Sequence, residues 1–81
     1  MKTYEMRIAD DYTTTYIRGQ ISGMIFVLTD MPADYSGFAK KNFTDDDWDL
    51  RYMASEEQQS AILDCLYRKY PEAIVGVKEV E

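Results

Sequence analysis

The stretch SEEQQSAILDCLYRKYP, residues 55–71, most constrains what this chain can fold into. Ser55 and Gln58 stand three apart in the pattern of a capping box, Glu56 and Glu57 suit the positive end of a helix, and Arg68 and Lys69 suit its negative end. Pro71 stops the element. Ile62, Leu63, Leu66, Tyr67 and Tyr70 recur at intervals of three and four, so the helix Glu56 to Tyr70 has one apolar face to lay on a sheet. With 81 residues, the chain is expected to form a single domain, 1–81, which buries only about 60 to 65% of its unfolded surface.

The partner of that face is read from period-two patterns. KTYEMRI alternates Thr3, Glu5 and Arg7 with Tyr4, Met6 and Ile8, a half-buried strand. DWDLRYMA sets Trp48, Leu50 and Tyr52 inward against Asp47, Asp49 and Arg51 outward, and AIVGVKEV closes as a strand whose first half suits burial on both faces. Ala9 to Asp11 can turn the chain into YTTTYIR, giving a hairpin. Between Tyr12 and Leu28 two patterns compete. Ile17, Ile21, Met24, Ile25 and Leu28 fit a helical stripe, but three threonines, two glycines and four β-branched residues favour strand, which is the expectation here. Residues 31–42, with Pro32, Asp34, Ser36 and Gly37, read as a surface connection with a helical turn near Phe38. The predicted fold is α+β: a small antiparallel sheet of four to five strands packed on one main C-terminal helix.

Composition excludes much chemistry. With no His and one Cys, Cys65, this chain can supply no Ser-His-Asp or Cys-His machinery, no internal disulfide and no Cys/His zinc site. No catalytic residues, cofactor or metal are expected, and Cys65 is expected to be a buried, inert thiol. The longest apolar run, Met24 to Leu28, is far short of the roughly 20 residues of a membrane helix, and no signal-peptide pattern is present. A cytoplasmic location is the expectation.

Charge is concentrated. The net charge is -6, and residues 43–57 hold Asp45, Asp46, Asp47, Asp49, Glu56 and Glu57 against Arg51 alone. Such a run repels nucleic acid and anionic membranes and attracts a basic protein. The candidate partner-binding set is Asp45, Asp46, Asp47, Asp49, Trp48, Glu56 and Glu57, with Tyr35 as an exposed aromatic anchor. Asp45, Asp47, Asp49 and Glu56 also match positions 1, 3, 5 and 12 of a calcium loop, though position 6 is Leu50 where that loop needs Gly. Seven tyrosines suggest a further alternative, an assembly module that meets partners through a tyrosine-bearing sheet.

In size, acidity and lack of catalytic groups the chain resembles, at the level of a class, phage-encoded inhibitors of host defence, including anti-CRISPR proteins and DNA mimics. That resemblance implies a non-catalytic inhibitor that occludes the basic nucleic-acid-binding groove of a partner such as a CRISPR effector.

Overall fold

The computed structural model describes residues 1–9, 15–35 and 48–80. Their elements run β1 (Lys2–Ile8), α1 (Thr15–Thr29), β2 (Asp34–Tyr35), β3 (Leu50–Ala54), α2 (Glu56–Lys69) and β4 (Ile74–Val80). The architecture is α+β with two helices. Three full strands form an antiparallel sheet, and the two-residue β2 extends one edge, giving the order β2-β3-β1-β4. Because every neighbouring pair is antiparallel, β1 runs parallel to β2 and β3 parallel to β4, each pair separated by an intervening strand. This is the split βαβ arrangement called ferredoxin-like, a fold that hosts many unrelated functions.

The period-two reading of β1 matches the structure: Tyr4, Met6 and Ile8 are buried beside Leu50, Tyr52 and Ala54 of β3. Tyr4 lies directly opposite Tyr52, with ring centroids 5.8 Å apart. Ile21 and Ile25 of α1 and Ile62 and Leu66 of α2 complete this core, with Ile17, Met24 and Leu28 packed at its margin.

Over residues 15–28 the strand expectation is overturned by α1, and with it the hairpin, since β1 is flanked by β3 and β4; residues 12–14 lie outside the described residues. The reason lies in which face each residue reaches. A strand would place Met24 and Leu28 opposite Ile17, Ile21 and Ile25, whereas a helix gathers all five on one side. Its two glycines cost about 1 kcal/mol each in helix propensity, while full burial of Ile21 and Ile25 contributes roughly 3 to 6 kcal/mol. Tertiary burial therefore outweighs local preference. At the end of α1 the Thr29 hydroxyl donates to the Ile25 carbonyl at 2.7 Å, and Asp30 takes a left-handed φ of 59° that turns the chain towards Pro32.

The start of α2 follows its sequence signature. Ser55 Oγ accepts from the Gln58 amide at 3.1 Å, and Gln58 Oε1 accepts from the Ser55 amide at 2.8 Å. Residues 31–35 are not wholly a connection, since Asp34 and Tyr35 pair with Arg51 and Leu50. The helical turn expected near Phe38 lies outside the described residues. Cys65 is half-buried rather than buried. Among the described residues, no helix is long and apolar enough to cross a membrane.

Ser55→Ala removes one half of the capping box and should destabilise the protein by about 1 kcal/mol. The readout is a lower urea midpoint with an unchanged denaturant slope.

Candidate functional site

The acidic run divides at Asp49. Sequence alternation turns this residue outward, but its side chain is fully buried, which corrects that expectation. Asp49 stands one residue before β3, where the ladder with β1 ends. Its amide donates to the Met6 carbonyl at 2.8 Å, and its Oδ2 accepts from the Ile8 amide at 2.7 Å. The carboxylate thus takes the place of a missing strand carbonyl. Its Oδ1 accepts from Arg18 Nη2 at 2.6 Å, and the Arg18 side chain is itself only 3% exposed. A strand-end residue is freed from strict alternation, and two buried donors draw the carboxylate inward.

Trp48 also departs from its expected place. It is half-buried, and the Arg51 guanidinium lies over its ring at 4.2 Å from the centroid. Arg51 in turn donates through Nε to Glu5 Oε2 at 2.9 Å, and Lys78 Nζ lies 3.5 Å from Glu5 Oε1. These side chains sit on the sheet face away from the helices, where Asp34, Arg51, Glu5 and Lys78 form one cross-strand row of alternating sign. Glu5 is only 6% exposed despite lying on that face, because the flanking cations cover it.

Glu56 and Glu57 stand exposed in the first turn of α2. Lys2 donates to Glu56 Oε1 at 2.6 Å and also reaches Glu79 at 3.1 Å. That hydrogen bond holds the Glu56 carboxyl below its ordinary range and pushes the Lys2 ammonium up. Tyr35 lies in β2 opposite Leu50 rather than in a connecting loop. Asp45, Asp46 and Asp47 lie outside the described residues.

The calcium alternative meets a specific obstacle. Both Asp49 oxygens are engaged by Arg18 and Ile8, Glu56 is paired with Lys2, and window positions 6 to 10 are strand β3. Among the described residues there is no group of three or more His, Cys, Asp or Glu side chains placed to hold a metal. The tyrosine-bearing sheet surface is corrected too, because Tyr4 and Tyr52 face the core. Among the described side chains, the exposed tyrosines are Tyr16 and Tyr67, both on helices. An open depression of about 320 Å³ lies beside β2 and β3, with Asp34 and Arg51 in its lining.

Sequence reasoning missed Arg18 as the partner of Asp49. The signal was present: Arg18 is the only charged residue from Tyr12 to Thr29, and on a helix it falls on the same side as Ile21 and Ile25. A charge inside an apolar stripe calls for a buried counterion. Comparison with protein-family models, curated proteins and solved structures finds no match for the chain.

Tyr52 donates its hydroxyl to Gln59 Oε1 at 2.7 Å, and burial pushes its phenol up to about 12 from 10.0. Because the folded value is the higher one, this contribution is complete below pH 10 and is lost as pH rises towards 12. Roughly 2 to 3 kcal/mol should disappear over that window, and Tyr52→Phe should flatten that part of a stability-against-pH curve.

Removing one member of the buried pair, by Asp49→Ala or Arg18→Ala, leaves an uncompensated charge and should cost about 3 to 5 kcal/mol. Replacing both with apolar residues, Arg18→Met with Asp49→Leu, should recover part of that loss, short by the cost of the Ile8 amide left without Asp49. Urea denaturation of the three variants measures both effects.

Proposed function

We propose that the protein is a non-catalytic, acidic protein-binding module that docks on the basic groove of a nucleic-acid-handling protein and blocks it, in the manner of a DNA mimic or anti-CRISPR inhibitor of phage type. The observation that carries this reading is that Asp49 of the acidic run is held inside while Glu56 and Glu57 stand exposed beyond β3. Asp49 is consumed as an internal tie to α1 and β1. Asp45, Asp46 and Asp47 precede that fixed point in sequence, and Glu56 and Glu57 stand exposed just beyond the other end of β3.

The sheet's own charges support the same reading by matching one another. Arg51 and Lys78 are drawn to Glu5, whereas Lys2 pairs with Glu56 and partly offsets the acids just beyond β3. Docking of this kind is charge-led, which makes it fast and strongly dependent on salt.

The test is affinity capture at low salt from bacterial lysate and with purified CRISPR effectors. Wild type is compared with Asp45→Asn, Asp46→Asn, Asp47→Asn and with Glu56→Gln, Glu57→Gln. Asp49 is left intact because its loss would destabilise the fold rather than discharge its surface. The expected outcome is capture of a basic nucleic-acid-handling protein, weakened at least tenfold by the triple variant and steeply by added salt. Equal capture by wild type and both variants, or capture indifferent to salt, would refute the reading.

A further inference from the structure

The row Asp34, Arg51, Glu5 and Lys78 crosses all four strands on the sheet face away from the helices, and its signs run minus, plus, minus, plus. Turned by half a revolution about an axis parallel to the strands, such a row becomes its own complement. Each acid then falls where the other copy carries a base. The middle of the row is closed within one chain, because Glu5 holds Arg51 and Lys78 and is only 6% exposed. Its ends are open. Arg51 stands directly across from Asp34 but turns its guanidinium to Glu5 and the Trp48 ring. Asp34 and Lys78 are both exposed, on the two edge strands, about 14 Å apart across three strand spacings.

We propose that this sheet face is a homodimer interface, in which two copies stack face to face about a twofold axis parallel to the strands. Charge selects the occupant. The row sums to zero, so a polyanion or a uniformly basic surface meets as many like charges as opposite ones along it. A second copy supplies the inverted row by symmetry, setting Asp34 of each chain against Lys78 of the other. Charge selects the axis as well. A twofold across the strands would put Asp34 on Asp34 and Lys78 on Lys78, whereas the axis along them opposes unlike charges and keeps the two sheets aligned, one of the two ways in which sheets pack. The next row on the same face, Met53, Thr3 and Val80, bears no charge, and Met53 is 40% exposed. The same rotation lays Met53 over Thr3 of the second copy and Val80 over the open depression that Met31 and Pro32 line at the β2 edge. Apolar contact thus sits beside the two end pairs, which fix register more than they add affinity. The face measures only about 20 Å by 17 Å, which places the dimer at the small, weak end of specific interfaces, with a Kd of roughly 100 μM.

Sedimentation equilibrium on the full chain, from about 10 μM to 1 mM, tests this. Wild type should form a dimer that added salt weakens. Asp34→Lys and Lys78→Glu should each raise Kd at least tenfold while keeping the circular dichroism spectrum, because each sets like charges together twice across the axis. Mixed in equal amounts, the two single variants should associate again as a heterodimer with a Kd near that of wild type, a rescue that no change in folding produces. Val27→Glu, on the outward side of α1, should leave self-association unchanged. Amide chemical shifts of wild type, compared between dilute and concentrated samples, give a second readout that needs no variant, with changes centred on Thr3, Met53 and Val80. A monomer throughout the range, single variants that dimerise like wild type, or two folded single variants that fail to rescue each other would overturn the proposal. So would a dimer broken by Val27→Glu, or shift changes confined to the helices.

Discussion

The pair formed by Arg18 and Asp49 joins three elements that share no local sequence. Asp49 closes the β1–β3 ladder through the Ile8 amide and holds α1 through the guanidinium. Removing two charges from water costs several kcal/mol each, and the pair is tolerable only because further hydrogen bonds satisfy the carboxylate. Such a pair has a geometric role: it fixes the position of α1 along the sheet and the point at which β3 begins.

That position governs which surfaces are left for other uses. With α1 seated by Arg18, its five apolar side chains reach the sheet and its glycine-bearing side turns outward. With Asp49 drawn inside, one member of the acidic run is withdrawn from the surface, and Trp48 is left half-buried against Arg51.

The open face of the sheet shows how charge is managed within a fold of this size. Glu5 lies between Arg51 and Lys78, and the row continues to Asp34. Opposite charges directly across antiparallel strands stabilise pairing modestly and help to fix register. The same row gives that face a polar character, which sets it apart from the uncharged outward side of α1.

The sequence by itself determined the elements whose signals are local. The capping box of Ser55 and Gln58 marked the start of α2, and the alternation of Tyr4, Met6 and Ile8 marked β1, because hydrogen bonds within one turn and side chains two apart need no distant partner. It also limited the chemistry, since histidine is lacking and only one cysteine is present. The tertiary structure alone decided the state of α1 and the fate of Asp49. The helical stripe of α1 was legible, but its glycines and β-branched residues opposed it, and the balance tipped only when a sheet and α2 were present to bury Ile21 and Ile25 and to pack Ile17, Met24 and Leu28 at their margin. Asp49 looked like one more acid in an acidic run because its partners lie 31 and 41 residues away, at Arg18 and Ile8. Local sequence carries propensity and period; the energy of burial and of a buried charge belongs to whatever the fold brings alongside.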